Sequence, residues 1–409
     1  MTSDRQPHPD IGRREFVAFV AAIMAVNALG TDLMLPALST IGRELRADDA
    51  NDQQWVVTSY LFGFGLGQLA YGPMADRFGR KPVLLVTLAG FVAASLFAAG
   101  SATFAELIGA RVLQGLMSAS TRVLSVAIIR DSYSGRRMAR ISSMATMVFF
   151  LVPILAPSIG AVLLEFGPWR FVFYALGAFA LTVLVWAALR LPETLDPAQR
   201  RRISVATLGE AYRLTLGNRY SIGYALAGSM TFGGIIAFVS SAEQVFTDTF
   251  GAGERFALLF ALCAFFMGLA SFFNSRLVER LGTRMISQTG LFALIALSLV
   301  HIAVVAGGLE TLWTYVAFQS LSMTCIGLCG ANFGAMAMEP VGHVAGTASS
   351  VQGFVTGVGA VAVGSAIGQA YDGTTLPLAV GYLCIGLGGL AIVYVVEGGR
   401  LFQARMAGG

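Results

Sequence analysis

Twelve apolar stretches divide this sequence, and each is long enough to cross a bilayer as a helix. They lie at 16–41, 55–73, 83–100, 104–129, 138–164, 169–191, 219–247, 254–276, 286–306, 311–338, 345–371 and 376–398. About 20 residues at 1.5 Å each span roughly 30 Å of hydrocarbon. Lipid offers an unpaired backbone group no partner, so such stretches must be helices or barrel strands. The two-residue alternation of a barrel strand is absent from them. Composition agrees, with 56% of the 409 residues hydrophobic and 12% charged, about half the charge of an ordinary soluble domain. So little polar surface excludes a string of soluble domains, and so much apolar surface excludes disorder. The net charge is +4, but the basic residues come in short clusters between apolar runs. A nucleic-acid interface, which gathers them on one face, is excluded. The expected fold class is an all-α integral membrane protein with 12 transmembrane helices.

Arginine placement sets the orientation. The N-terminal tail, the loops after spans 2, 4, 6 and 8 and the C-terminal tail hold 21 basic residues, whereas the opposite face holds Arg43, Arg46, Arg170 and Arg255. Both termini are therefore expected in the cytoplasm. The expected organisation is a tail at 1–15, a six-helix bundle at 16–191, a cytoplasmic linker at 192–218, a second bundle at 219–398 and a tail at 399–409. Asp76-Arg77-Phe78-Gly79-Arg80-Lys81 after span 2 echoes Glu279-Arg280-Leu281-Gly282-Thr283-Arg284 after span 8, half a chain later. Two parallel six-helix repeats are the plan of a secondary transporter. Arg13-Arg14-Glu15-Phe16 looks superficially like a twin-arginine export signal, but eleven apolar segments follow, so 16–41 reads as the first span. Cys263, Cys325, Cys329 and Cys384 fall inside apolar segments without metal-ligand spacing. No metal and no cofactor are expected.

Ionisable residues inside a span cost about 2.5–3.5 kcal/mol on insertion scales and need a reason to be there. Asp32 lies about 24 Å along span 1 from the cytoplasm, and Arg111 about 10 Å below the outer surface in span 4, both at 1.5 Å per residue. The two share a level and can compensate one another. They form either a static ion pair or a proton-linked site, since burial and a neighbouring cation pull a carboxyl in opposite directions. Arg122 follows Arg111 by eleven residues, 20° beyond three full turns, so both project from one face together with Gln114, Gly115, Ser118 and Ser125. Arg122 either snorkels to the interface or lines the inward cavity and favours substrates with a carboxylate, sulfonyl or other electron-rich group. Glu243, beside Gln244, reads as solvated at the outer interface or as a second proton site or gate. Further lining candidates are Asn27, Thr31, Tyr60, Phe149, Phe150, Tyr224, Phe232, Gln319, Ser322, Gln352 and Thr356. Glycine pairs at Gly63 and Gly67, Gly353 and Gly357, and Gly364 and Gly368 mark close helix packing.

Gly72-Pro-Met-Ala-Asp76-Arg77-Phe-Gly79-Arg80-Lys81-Pro82, between spans 2 and 3 of twelve, resembles the loop signature of the major facilitator superfamily. Arg111-Val-Leu-Gln114-Gly115, Pro153-x3-Pro157-x2-Gly160 and Leu191-Pro192-Glu193-Thr194 match at their expected places. Asp32-Leu-Met-Leu35-Pro36-Ala37-Leu38, Arg130-Asp131 and Ala345-Gly346-Thr347-Ala348-Ser349-Ser350 resemble the 12-helix drug/proton antiporters, most closely their bicyclomycin- and chloramphenicol-resistance branch. The chain departs from that pattern with Met34 in place of an aromatic, with Val152, Ala156 and Ala161 in place of glycines, and with Met24 where some members carry a second carboxylate. The resemblance implies two pseudo-symmetric six-helix bundles that rock about a central cavity. It also implies gating by Gly72, Asp76, Arg77, Arg80, Asp131, Pro153, Pro157 and Gly160. Arg80 is expected to reach Asp131, and Asp76 a helix N-terminus near Gly346.

The expected function is proton-coupled export of small amphipathic, drug-like compounds across the bacterial inner membrane, by a monomer with Asp32 carrying the proton and Arg111 tuning it. A carrier of one metabolite (an amino acid, an organic anion or a sugar) is the first rival. A membrane-embedded enzyme is the second, and the sequence lacks HExxH and GxSxG, with His301 isolated in span 9.

Overall fold

Proline 36 decides how the first span folds. It has no amide hydrogen for the carbonyl of Asp32 four residues back, and its ring crowds that carbonyl. Helix α1 (Arg13–Asp32) accordingly stops at Asp32, one 3-10 turn follows at Leu35–Ala37, and α2 (Leu38–Glu44) completes the crossing. The expected continuous helix over 16–41 is thus two helices joined at a break, and Asp32 is the last residue before it. The structure, a computed structural model, describes residues 11–200 and 205–402.

The remaining crossings are α3 (Trp55–Phe78), α4 (Arg80–Gly100), α5 (Phe104–Ser132), α6 (Gly135–Phe166), α7 (Arg170–Arg190), α9 (Arg219–Gln244), α10 (Phe256–Leu281), α11 (Thr283–Ala306), α12 (Leu312–Met338), α13 (Ala345–Gly368) and α14 (Leu376–Val396). The polar stretch expected as a plain linker contains a further helix, α8 (Val205–Gly217). Among the described residues there is no strand, and ten helical segments are long and apolar enough to span a membrane. The other two crossings are α3, diluted by glycines and Gln68, and α6, which runs unbroken through Pro153 and Pro157.

The chain separates into two compact units, Met1–Asp48 with Ser59–Leu208, and Asp49–Thr58 with Gly209–Gly409. In the first, α1 packs on α5, α6 and α7, and α4 packs on α5 and α7. In the second, α9 packs on α12, α13 and α14, and α11 packs on α12 and α14. The same packing order in each unit is what the repeated loop motif implies. Helix starts repeat too. Thr103 caps α5 by accepting from the Glu106 amide, and Thr311 caps α12 by accepting from the Thr314 amide.

Glycines set the closest approaches. A methyl group at Gly63 would stand 2.1 Å from the Val112 carbonyl oxygen, and one at Gly115 would stand 1.8 Å from that of Tyr60. The Gly63 and Gly67 pair therefore joins α3 to α5 within the first unit. In the second unit, Gly364 meets Ile236 of α9 in the same way. Residues 49–58 are tied into the second unit by polar bonds. Gln54 donates to Gln244 Oε1 (2.7 Å) and to the Gly368 carbonyl (2.9 Å), and Asn51 donates to the carbonyls of Gln369 and Tyr371.

Candidate functional site: a buried charge network at the helix break

The break leaves Asp32 buried, and the α5 face below it supplies Arg111, which has no exposed surface. The two interact electrostatically. The guanidinium is held on several sides. It donates to Gln114 Oε1 (2.7 Å) and to the Gly30 carbonyl (2.9 Å), and it stands over the Tyr60 ring at 4.4 Å and the Phe173 ring at 5.8 Å. Gln114 passes its own amide to Ser95 Oγ of α4 (2.7 Å). Tyr60 donates to the carbonyl and side-chain oxygens of Asn27 (3.1 and 3.0 Å), and Ser118 donates to the same side chain (3.3 Å). Gly30 is required here, since a methyl group on it would stand 2.6 Å from the Tyr60 hydroxyl oxygen. One carboxylate and one guanidinium thus sit inside a set of oriented, buried polar groups, where charge interactions are far stronger than in water.

Asn27, Tyr60, Gln114 and Ser118, expected to line the substrate cavity, are all buried in this network and hold Arg111 in place. Arg122 differs. It is exposed, and no hydrogen bond, ion pair or ring contact engages it among the described residues. Phe150 and Phe149 lie in α6 with side chains outside the described set.

In the second unit the expected lining residues have neighbours of their own. Tyr224 is buried, stacks on Phe333 and donates to Glu397. Gln319 donates to the Tyr382 hydroxyl (2.8 Å), and Gln352 to Ser221 Oγ and the Ala337 carbonyl (both 2.7 Å). Glu243 and Gln244 are both buried, so solvation at the interface is not what accommodates them. His301 is not isolated: its Nε2 lies 2.6 Å from Glu310 Oε1, and Thr375 donates to the other carboxylate oxygen.

The loop after α3 forms a clasp inside the first unit. Gly79 turns the chain with φ +101°, and Arg80, itself buried, binds Asp131 at the end of α5 (2.9 Å) and Asp76 in α3 (2.6 Å). Glu193, beyond α7, accepts from the Arg80 amide (2.9 Å) and the Lys81 amide (3.3 Å), and so caps α4. Lys81 in turn donates to the Ala188 carbonyl near the end of α7 (2.9 Å). Gly72 and Arg77 lie in the last turns of α3, and Arg77 stacks over Phe78. Pro153, Pro157 and Gly160 lie in α6. A methyl group at Gly160 would stand 2.0 Å from the Leu33 carbonyl oxygen, so this glycine lets α6 lie against the α1 break.

The second unit repeats the clasp with altered residues. Gly282 turns the chain with φ +79°, and Arg284 binds Glu397 beyond α14 (2.8 Å). The capping role of Glu193 and the role of Glu397 were missed in the sequence. The signal was available, since the two glutamates recur at nearly the same half-chain offset as the loop motif itself.

A polytopic helical protein with repeated six-crossing units and a buried carboxylate–guanidinium site is a secondary membrane transporter in form. Residues 20–365 match the sequence profile of the Major Facilitator Superfamily, and the chain belongs to that superfamily. It is 32% identical over 358 residues to an uncharacterized MFS-type transporter, YdgK, of Bacillus subtilis (strain 168), covering 85% of this chain and 87% of that one. It is 29% identical over 368 residues to a bicyclomycin resistance protein homolog of Haemophilus influenzae (89% and 91% covered). It is also 29% identical over 341 residues to multidrug resistance protein D of Escherichia coli (82% and 84% covered). The two resistance proteins bear out the drug-antiporter resemblance. The crystal structure of a D-xylose-proton symporter superposes with a TM-score of 0.72 over 95% of this chain and 98% of that one, at 15% identity, and shows the shared fold.

Proposed function

We propose that this chain is a proton-driven efflux antiporter of the bacterial inner membrane that expels small amphipathic, drug-like compounds, with both termini in the cytoplasm and the monomer as the working unit. The observation that carries the proposal is Asp32, buried at the end of α1 and coupled to Arg111, which neighbouring side chains hold fixed. The names of the drug-resistance relatives support export of drug-like substrates. A buried carboxyl beside a fixed cation has two charge states of comparable cost, and protonation selects between them. The break at Pro36 lets Asp32 change surroundings without unwinding a continuous helix. Proton entry supplies about 2.3 kcal/mol per 100 mV and about 1.36 kcal/mol per pH unit. These together support roughly tens- to hundreds-fold accumulation per proton.

The test is transport in proteoliposomes under an imposed pH gradient, comparing wild type with Asp32→Asn. The variant keeps the side-chain volume but cannot cycle a proton, so it should still exchange substrate downhill and fail to move it uphill. Uphill transport by Asp32→Asn at the wild-type rate would sink the assignment. The second reading, a dedicated carrier of one metabolite, draws on one observation, Arg122, which has no partner among the described residues and fits a single anionic substrate better than a broad hydrophobic range. Competition by chemically unrelated drugs separates the two, because a dedicated carrier ignores most of them.

A further inference from the structure

Among the described residues no side chain or carbonyl pairs with Arg122, and its place on α5 bears on what it can hold. It shares the α5 face of Arg111 and Ser118, the residues that bond to Gly30 and Asn27 of α1. The exposed Leu113 projects from the far side, about 180° away at 100° per residue. Near Arg111 this face is closed: Arg111, Gly115 and Ser118 are all buried. One turn beyond Ser118, Arg122 is exposed, as is Val126 a turn later, whereas Ser125 and Ile129 on the same face are buried, so the opening is local to Arg122. Arg122 is nine residues from Asp131, which the Arg80 clasp fixes at the helix end, so it lies about 13 Å deeper than that level. Throughout the described membrane-embedded part of the first unit the carboxylate is Asp32, already engaged with Arg111. Met24 of α1 brings no acid. Among the described residues of these helices a cationic substrate finds no free counter-charge, and an anionic one finds the exposed guanidinium of Arg122 without a partner.

We propose that Arg122 is a binding site for the oxyanion of the substrate, so that the chain selects amphipathic compounds with one carboxylate or sulfonate on an apolar body. The inference deepens the efflux reading and rests on it for the direction of transport. Expelling a monoanion against one entering proton carries two positive charges inward per cycle. The membrane potential therefore acts with twice the leverage it has on a neutral substrate. A bidentate guanidinium–oxyanion pair is also stronger than a neutral hydrogen bond.

The probe pair is naphthalene-2-sulfonate and the nearly isosteric, neutral naphthalene-2-sulfonamide, binding to the purified full-length protein in detergent. Wild type should prefer the sulfonate. Arg122→Gln should weaken sulfonate binding about ten- to hundred-fold with sulfonamide binding nearly unchanged, which also shows that the variant is folded. Arg122→Lys should recover most of the loss. In proteoliposomes the sulfonate gradient should respond to an imposed potential with twice the slope of the sulfonamide. No saturable sulfonate binding, a preference unchanged by Arg122→Gln, or equal potential slopes overturns the proposal. Competition by phosphatidylglycerol but not phosphatidylcholine overturns it too, by assigning the guanidinium to a lipid headgroup. Asp32→Asn keeps the two readings apart: it should abolish uphill transport and leave the sulfonate preference intact.

Discussion

Two glycines in the repeated loops make a controlled experiment. Gly79 (φ +101°, ψ 160°) and Gly282 (φ +79°, ψ 157°) each precede a membrane helix in a conformation that residues with a Cβ rarely adopt. Alanine in that region costs about 1–3 kcal/mol. At Gly282 nothing lies within 4 Å of the added methyl group, so the backbone cost stands alone. At Gly79 the methyl group would stand 2.2 Å from Glu193 Oε2. The carboxylate has to move, and its bonds to the Arg80 and Lys81 amides go with it. Losing a helix cap costs about 0.5–2 kcal/mol. Gly79→Ala should therefore destabilise the protein by about 0.5–2 kcal/mol more than Gly282→Ala. Thermal unfolding of the purified protein in one detergent reads the difference directly. Glu193→Ala added to Gly79→Ala should cost little, because the shared interaction is already gone. Equal midpoints for the two alanine variants, or full additivity in the double variant, would refute the capping role of Glu193.

Two further outcomes follow from the same geometry. Glu397→Gln keeps the volume but leaves Arg284 without its charge partner, so the unfolding midpoint should fall by the equivalent of about 1–3 kcal/mol; an unchanged midpoint would show that the pair is idle. Gly160→Ala sets a methyl group against the Leu33 carbonyl, backbone against backbone, at an overpacking cost of about 1–3 kcal/mol. Because the strain falls on the break that carries Asp32, uphill transport should drop further than substrate binding, and equal losses in both would separate α6 from the coupling step.

Hydropathy located the crossings because lipid imposes one length and one composition on each. It did not see the break at Pro36, since a proline barely alters the mean hydropathy of a 20-residue window. The Arg80–Asp131 bond was legible through the resemblance of this loop, at its place between spans 2 and 3, to the superfamily signature. Tyr224, Gln319 and Gln352 were placed by pattern alone, which gives the face of a helix and not the partner it meets. All three are bonded within the second unit. His301 read as isolated because its partners, Glu310 and Thr375, lie on other segments. Arg122 was legible as unusual, while its lack of a partner among the described residues required coordinates.

The two units share a framework and differ in charge, and the difference locates the chemistry. Arg111 and Gln319 are each the eighth residue of their helices, α5 and α12, which begin with matching threonine caps. Arg111 lies against the Tyr60 ring, and Gln319 bonds to the hydroxyl of Tyr382. An uncharged amide thus satisfies in the second unit a position that carries a guanidinium in the first. A charge inside a span costs about 2.5–3.5 kcal/mol on insertion scales, so packing alone gives no reason to keep one at Arg111. Asp32 has no acidic counterpart either, since Phe238 is at the same position along α9. On the proposed reading, this site's protonation changes the charge of the first unit alone. The signal then has to leave through what touches the break: Gly160 of α6 at the Leu33 carbonyl, and Tyr60 of α3 at Gly30. Tyr60 sits on α3, which ends in the Arg80 clasp, so the proposed proton site and the clasp are joined by continuous helix rather than by a chain of side chains.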